Sequence, residues 1–189
     1  MNRFHSSSRG QASLEFILVL IFMLVIIVAV IVPLGQRIQF AMDDVSKVSF
    51  SDAGLNLIQS TLNNLLLSPG TSRQFVDVYL PKGSFLACDN ALGSVSITFP
   101  LHTDVFDATG AIPADCVDNT NPLLPDVAMF CSKSVSFPAS AELRCQGDAL
   151  PAGSFLLETG QSGFSQRFRM FSRYSPGATP PYVVDFNAV

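Results

Sequence analysis

A run of seventeen apolar residues, from Phe16 to Val32, constrains this chain more than any other feature of its sequence. It is about the shortest run that crosses a hydrocarbon core of ~30 Å as a helix. A secretory signal has a shorter apolar region of about 7–15 residues, and no small-residue cleavage site follows this one. Although ten of the seventeen residues are isoleucine or valine, a single segment in lipid pairs its backbone groups only as a helix. The run predicts a membrane-spanning helix.

Basic residues and cysteines indicate on which side of the membrane the rest of the chain lies. Arg3 and Arg9 precede the run, and by the positive-inside tendency they place the N-terminus in the cytoplasm. All four cysteines follow the run: Cys88, Cys116, Cys131 and Cys145. An even number on one side favours two disulfides in an oxidising compartment, with three possible pairings, and buried free thiols are the alternative. The spacings contain no close cysteine pair of the kind typical of zinc sites.

A basic residue, a glycine and an acid stand in a fixed order before the apolar run. The order is Arg9, Gly10, Gln11, Ala12, Ser13, Leu14, Glu15, Phe16. It resembles the class III signal peptide of archaeal type IV pilin precursors, closely over residues 9–34 and in outline over the rest. The resemblance implies that a membrane prepilin peptidase cleaves between Gly10 and Gln11, which makes Glu15 the fifth residue of the mature chain. Bacterial tight-adherence pilins and pseudopilins have a similar start and remain a rival within the same class.

The position of Glu15 has a physical rationale in this interpretation. Cleavage creates an α-amine on Gln11, and a lone charge in a packed apolar environment is costly. Opposite charges on neighbouring subunits can neutralise each other and fix the register, because every other stagger leaves a charge buried alone. Gln11, Glu15 and Phe16 are therefore the expected subunit-assembly residues. The alternative is a simple single-pass anchor in which Glu15 lies at the headgroups without a role.

The helical pattern continues beyond Pro33, although proline removes a backbone donor and predicts a kink or local melting. Apolar residues recur every seven positions on one stripe, with others beside them: Ala41, Val45, Val48, Leu55, Ile58, Leu62, Leu65 and Leu66. Asp44 and Lys47 are expected on the remaining, solvated surface. The pattern predicts an amphipathic helix from Gln36 to Leu67, ended by the Ser68-Pro69-Gly70 sequence. Gly54 is its weakest position, by about 1 kcal/mol.

Short alternating runs separated by proline and glycine replace the helical period after residue 70. They predict an antiparallel β-rich head with strands near 75–80, 94–99, 134–137, 154–158, 164–174 and 182–186. A long acidic loop is expected from Leu101 to Asp126, where five aspartates do not have the spacing of a calcium-binding EF-hand. The stretch 166–174 is the only basic cluster, with Arg167, Arg169 and Arg173 on one strand face together with Phe171. A face that binds DNA is the alternative to a solvated face or one that pairs with the acidic loop of another subunit.

The sequence thus predicts an α+β fold, with a long N-terminal α-helix followed by an antiparallel β-rich globular head. Its segments are a signal peptide at 1–10, a hydrophobic transmembrane and filament-core helix at 11–35, an amphipathic continuation at 36–69 and an extracellular head at 70–189. No catalytic, cofactor-binding or metal site is predicted, since His5 and His102 are the only histidines and no phosphate-binding loop is present.

The resemblance implies a structural pilin that forms a helical homopolymer, a surface filament that serves adhesion. Its expected partners are other copies of the chain, the prepilin peptidase and the assembly machinery, with the cytoplasmic membrane holding the precursor before it reaches the cell surface. A permanently anchored minor pilin or pseudopilin, or an adhesive binding module outside the shaft, is the alternative function. Nucleic acid is disfavoured as the main partner, because the net charge is −4 and becomes −6 without residues 1–10.

Overall fold

The computed structural model describes residues 8–68, 70–103, 111–120, 122–124, 127–146, 154–159 and 163–189. The chain divides into two compact units, Met1–Met42 and Asp43–Val189. The division lies inside the predicted amphipathic segment, residues 36–69. The C-terminal part of that segment therefore belongs to the same unit as the strands.

One continuous helix occupies the N-terminal third of the chain: α1 (Ser8–Ile26), a π-helical turn (Ile27–Ile31) and α2 (Val32–Leu67). The residues that flank the π turn keep helical angles, with φ −62° and ψ −45° at Ile26 and φ −62° and ψ −52° at Val32. The turn directly precedes Pro33, whose ring has no N–H and crowds the carbonyl group four residues earlier. The predicted disturbance is thus a local widening, and the helix continues through it.

α2 ends at the predicted residue, Leu67. The Ser68 N–H donates to the Leu65 carbonyl at 3.3 Å, and the Ser68 hydroxyl donates to the Asn64 carbonyl at 2.9 Å. These two bonds satisfy carbonyl groups that the last turn of a helix leaves without a partner.

Nine strands follow the helix within the described residues. They are β1 (Ser72–Leu80), β2 (Phe85–Asp89), β3 (Ser94–Leu101), β4 (Cys116–Asp118), β5 (Met129–Ser136), β6 (Ala141–Gln146), β7 (Ser154–Glu158), β8 (Phe164–Tyr174) and β9 (Tyr182–Ala188). The first sheet has the order β1-β8-β9-β6, and the second sheet has the order β4-β5-β3-β2-β7. A long helix followed by a β-rich head confirms the predicted α+β class.

The head is antiparallel with one exception, the parallel pair β6 and β9. After β6 the chain crosses to the second sheet as β7 and returns to the first sheet as β8. β9 pairs antiparallel with β8, and it therefore runs parallel to β6 on its other side. The antiparallel character predicted for the head is confirmed, and the one parallel pair was not foreseen because pairing across the crossover leaves no local pattern in the sequence.

Alternation located β1, β3, β7, β8 and β9 closely, whereas the predicted strand 134–137 covers only the C-terminal end of β5, Met129–Ser136. In β1 the side chains of Val76, Val78 and Leu80 are buried and those between them are exposed, as predicted. β8 has the predicted bounds and buries Phe168 and Met170, whereas Tyr174 at the end of the strand is 47% exposed.

Three short strands, β2, β4 and β6, were not predicted. β4 lies inside the predicted loop from Leu101 to Asp126, and Leu101 is itself the last residue of β3. Of the five aspartates of that loop, Asp104, Asp107 and Asp126 lie outside the described residues.

A tight hairpin joins β2 to β3. Asp89 Oδ1 accepts hydrogen bonds from the N–H groups of Ala91 at 2.8 Å and Leu92 at 3.2 Å. Gly93 completes the turn with φ +57°, a left-handed conformation that costs glycine little. The Gly93 carbonyl also accepts a bond from Phe137 N–H at 2.8 Å, which places the residue after β5 beside this turn.

A single hydrophobic cluster joins α2 to both sheets. From α2 it contains Leu55, Ile58, Leu62 and Leu65, members of the predicted stripe. The strands contribute their inward residues, among them Val76, Val78, Ile97, Phe99, Met129, Phe168 and Phe186. The N-terminal part of the predicted stripe is wrong, since Ala41 and Val45 are exposed and Asp44 and Lys47 are buried.

The helix approaches the strands most closely at Gly54. A Cβ atom on this residue would lie 2.8 Å from Val78 Cγ1 in the first sheet and 3.6 Å from Ile97 Cδ1 in the second. The helix propensity of glycine identified the residue as a weak point of α2, and the structure shows the packing that requires it.

Two disulfides use all four cysteines. Cys88–Cys145 joins β2 in the second sheet to β6 in the first, with the Cα atoms 5.9 Å apart. Cys116–Cys131 joins directly opposed residues of β4 and β5. The predicted disulfides are confirmed, and the structure selects one of the three pairings that the sequence left open.

Candidate functional site

No described side chain between Leu14 and Asp43 is buried. Within this stretch Phe16 is 67% exposed, Phe22 65% and Ile31 58%. Full burial of a large apolar side chain stabilises by about 1.5–3 kcal/mol, so the apolar segment Phe16–Val32 forgoes on the order of 30 kcal/mol in water. Such a surface needs lipid or protein around it.

The helix is long enough and apolar enough to cross a membrane. Its apolar window lies near the N-terminus, and none of it is buried among the described residues. A core helix of a water-soluble domain passes the same test of length but is mostly buried, and this one is not. The position and exposure of the segment suit membrane insertion or a signal.

The residues predicted for processing and assembly all lie in α1. Gly10 and Gln11 are within its first turn, and Glu15 and Phe16 follow one turn later with exposed side chains. Residues 1–7 of the predicted signal peptide lie outside the described residues. The carboxylate of Glu15 thus stands at the N-terminal end of the exposed apolar segment, on the same helix.

A second group of polar residues, the helix–strand cluster, lies where α2 meets the end of β3. It consists of Asp43, Asp44, Lys47, His102 and Thr103. Asp44, 5% exposed, accepts bonds from the N–H of His102 at 3.0 Å, the N–H of Thr103 at 2.9 Å and the Thr103 hydroxyl at 2.7 Å. One carboxylate therefore binds the backbone that leaves β3.

These bonds determine the protonation of the buried carboxyl. Burial by itself would raise the pKa of Asp44, but the hydrogen bonds from Thr103 and His102 outweigh it and hold the pKa below its ordinary value. His102 Nδ1 lies 3.0 Å from Asp44 Oδ1, and because a carboxylate only accepts, this contact is a hydrogen bond when Nδ1 carries a proton. Asp44 is therefore ionised at neutral pH.

Lys47 brings the compensating charge and is only 4% exposed. Its Nζ atom lies 2.8 Å from Asp43 Oδ2 and 3.8 Å from Asp44 Oδ1, and it donates to the Pro100 carbonyl at 3.1 Å. A buried ammonium is tolerable only with such partners.

The same carboxylates and imidazole have the composition of a metal site. The ligand atoms of Asp43, Asp44 and His102 lie within 4.8 Å of one another. The Lys47 ammonium, 3.3 Å from His102 Nδ1, lies among these atoms and already supplies a positive charge there. The residues present therefore fit an internal ion pair better than a metal cation.

The sequence carried a signal for this cluster that the predicted stripe missed. The buried positions of α2 follow a three-and-four spacing that extends back from Leu55 through Ser51 and Lys47 to Asp44. The predicted stripe runs instead through the apolar residues Val48, Val45 and Ala41, which lie beside that line. If the spacing of the buried positions is extended toward the N-terminus without regard to hydrophobicity, Asp44 and Lys47 fall on the buried side of α2.

The predicted arginine strand face is present on β8, and its described partners lie on neighbouring strands. Arg167 and Asp77 of β1 form a two-bond ion pair at 2.8 and 3.1 Å. The hydrogen bond from Arg167 lowers the pKa of Asp77. Arg173 donates to Asp185 of β9 at 2.9 Å. These two arginines therefore have carboxylate partners within the head itself, outside the acidic loop that was expected to pair with them.

No family model, curated protein or solved structure matches this chain. The fold therefore defines the class of protein only in broad terms. It is a chain with one exposed apolar N-terminal helix, followed by a β-rich head with two disulfides. The helix suits a membrane, and the disulfides suit the oxidising environment outside the cell.

Proposed function

We propose that this protein is the structural subunit of a type IV pilus-like surface filament. The single observation that carries the proposal is the apolar segment Phe16–Val32, exposed along its whole length and headed by Glu15. A permanent anchor explains the apolar residues but gives Glu15 no role. A filament core explains both, because neighbouring helices cover the apolar side chains and supply a positive partner for the carboxylate.

The assembly step follows from the cost of burying charge. Before cleavage the helix lies in the membrane, with residues 1–10 on the cytoplasmic side. Removal of these residues leaves an α-amine on Gln11 that can pair with Glu15 of an adjacent copy. An uncompensated buried charge costs several kcal/mol, whereas the paired charges roughly balance that cost, so the pair selects one stagger between helices. The disulfide-linked head stays outside the core and is displayed on the filament surface for adhesion.

Mass spectrometry of the mature protein tests the proposal. Filaments sheared from cells should consist of chains that begin at Gln11. An intact Met1 in the membrane fraction, with no filaments, would instead establish an uncleaved anchor.

A pair of substitutions tests the role of the charge. Glu15→Gln keeps the size of the side chain and removes its charge, and Glu15→Asp is the matched control that keeps it. We expect Glu15→Gln to be cleaved and inserted normally but to lose most filament yield, and Glu15→Asp to retain more. Filaments of normal yield and geometry from Glu15→Gln would contradict the assembly role.

A further inference from the structure

The outward side of the first sheet concentrates the positive charge of the head. We call this side the arginine face, and its arginines are Arg73, Arg144, Arg167, Arg169 and Arg173. Two of these arginines and two phenylalanines occupy neighbouring positions in the register of β1 and β8. Arg73 lies opposite Phe171, and Phe75 lies opposite Arg169, so arginine and phenylalanine alternate along and across β1 and β8.

The phenylalanine rings hold guanidinium groups in place. Arg73 lies over the Phe75 ring at 4.7 Å from its centroid, and Arg173 lies over Phe171 at 5.7 Å. A guanidinium stacked on a ring still presents its N–H groups at the edge, in the geometry that binds a carboxylate through two bonds. The face is accessible, with Phe75 51% exposed and the Arg167 side chain 60%.

Three of the five arginines are balanced by carboxylates of the same face. Arg144 pairs with Glu142, Arg167 with Asp77 and Arg173 with Asp185. Within the described residues, neither Arg73 nor Arg169 has a carboxylate at ion-pair distance. Arg169 instead donates to the Asn187 amide oxygen at 2.8 Å, once that amide is oriented to satisfy both of its groups. Five arginines against three carboxylates leave this face with a charge of +2.

The rest of the head has the opposite sign. From residue 70 onwards, the positions outside the arginine face contain two lysines and eight carboxylates, which amounts to −6. Two of the described carboxylates lie at β4, the edge strand of the second sheet: Asp115 directly precedes the strand, Asp118 is its last residue, and both are exposed. One head thus carries a basic face on one sheet and an acidic edge on the other.

We propose that the arginine face binds the acidic β4 edge of a neighbouring copy of this chain, with Arg73 and Arg169 as its two uncompensated charges. The inference rests on the proposed filament, which would hold heads beside one another at millimolar effective concentration. The two surfaces differ, so the contact is head-to-tail, the type of contact from which open helical filaments are built. The net charge of the chain, −4, favours this occupant over a free polyanion, which the rest of the head would repel.

Charge reversal on the full-length protein tests this contact. Arg73→Glu reverses one of the two uncompensated charges of the arginine face. Lys82→Glu makes the same change of charge at an exposed turn residue outside that face. We expect Arg73→Glu to lower the yield of sedimented filaments about ten-fold, because like charges then oppose each other across the contact. Lys82→Glu should leave the yield near that of the wild type.

A compensating exchange identifies the partner surface. The double variant Asp115→Arg, Asp118→Arg should assemble poorly when it is expressed by itself. Co-expression with the double variant Arg73→Glu, Arg169→Glu should restore at least part of the filament yield, because each variant then meets a surface of opposite charge on the other. Wild-type yield from the Arg73→Glu, Arg169→Glu protein overturns the docking and leaves the proposed function intact. If the Arg73→Glu, Arg169→Glu protein forms normal filaments but no longer binds a single-stranded oligonucleotide, the docking is also overturned, in favour of a nucleic-acid ligand.

A measurement without filaments separates the two proposals. In detergent micelles the apolar segment is covered, so sedimentation of the full-length protein at low and high salt reports contacts between heads alone. We expect salt-sensitive self-association that Arg73→Glu weakens and Lys82→Glu does not. If the wild type makes no filaments on cells, the proposed function fails, and the micelle experiment still decides the docking: association unaffected by Arg73→Glu overturns it.

Discussion

At the scale of single residues, Asp44 shows how a charge is kept inside the protein. It is nearly fully buried, yet backbone and hydroxyl donors from His102 and Thr103 surround its oxygens. Lys47 lies in the same cluster and is buried as deeply. Removing one partner of such a cluster leaves the others unsatisfied, which costs about 1–3 kcal/mol for each buried donor. The cluster therefore stabilises the contact between α2 and the end of β3.

The stability that Asp44 contributes should depend on pH. Its pKa is lower in the folded protein than in the unfolded chain, so its contribution is complete above the unfolded value of about 4 and is lost as the pH falls through the folded value. We expect Asp44→Asn to lower the free energy of unfolding by about 2 kcal/mol at pH 7 and by less at pH 3. Urea unfolding of the full-length protein in detergent at both pH values measures this.

The matched control is Asp52→Asn. Asp52 forms an ion pair with Lys133 of β5 at 2.6 Å, but both side chains are more than one-third exposed. Exposed pairs contribute about 0–1 kcal/mol, so this variant should lose little stability at pH 7. Equal losses for the two variants, or a loss for Asp44→Asn that does not shrink at pH 3, would contradict the assignment of an ionised Asp44.

At the scale of elements, α2 has an exposed N-terminal part and a C-terminal part that packs into the head. Up to Asp43 its side chains are exposed, and from Asp44 onwards one stripe enters the hydrophobic cluster of the head. The contact depends on the absence of a side chain at Gly54, where Val78 and Ile97 approach from the two sheets. The part of the helix that is proposed for assembly and the part that holds the head can therefore be altered separately.

Gly54→Ala should destabilise the head even though alanine is the better helix former. Alanine gains about 1 kcal/mol in helix propensity, but its Cβ would lie 2.8 Å from Val78 Cγ1, and overpacking of this kind costs about 1–3 kcal/mol. We expect a net loss of about 1 kcal/mol and a lower melting temperature by circular dichroism. Gly35→Ala is the control, because no atom lies within 4 Å of the added Cβ. A raised melting temperature for Gly54→Ala would show that the strands yield easily at this point.

At the scale of the whole molecule, the two sheets of the head are linked covalently as well as through the core. Cys88–Cys145 closes a separation of 57 residues between the sheets, whereas Cys116–Cys131 closes one of 15 residues within the second sheet. A cross-link restricts the unfolded chain more when it closes a longer loop. The chain-entropy relation gives about 4 kcal/mol for the long loop and about 3 kcal/mol for the short one. The disulfide between the sheets is therefore expected to stabilise the head more than the disulfide within the second sheet.

Removing each disulfide separately tests this ranking. We expect Cys88→Ala with Cys145→Ala to lower the urea midpoint more than Cys116→Ala with Cys131→Ala, because the first pair also connects the two sheets. Each double variant serves as the control for the other, since both remove two sulfur atoms and leave one disulfide. A larger loss from the second pair would contradict the ranking and indicate that the β4 edge limits the stability of the head.

Much of the fold could be predicted because its periodic elements are long. Seventeen apolar residues define the N-terminal helix, Ser68-Pro69-Gly70 defines its end, and eleven alternating residues define β8. β2, β4 and β6 are only five, three and six residues long, so a local pattern has few positions in which to repeat. Gly10, Gln11 and Glu15, the residues predicted for processing and assembly, form a local sequence motif, whereas the helix–strand cluster joins residues more than fifty positions apart.

By itself, the sequence determined that this protein has an apolar N-terminal helix, a carboxylate at the head of that helix and a β-rich domain behind it, because these features depend on neighbours along the chain. Only the tertiary structure decided which cysteines pair, which strands share a sheet, why α2 has a glycine at position 54 and where five arginines meet. These features depend on contacts between distant segments. Many pairings of short strands satisfy the same local pattern, and only the packing of the complete core distinguishes one from another.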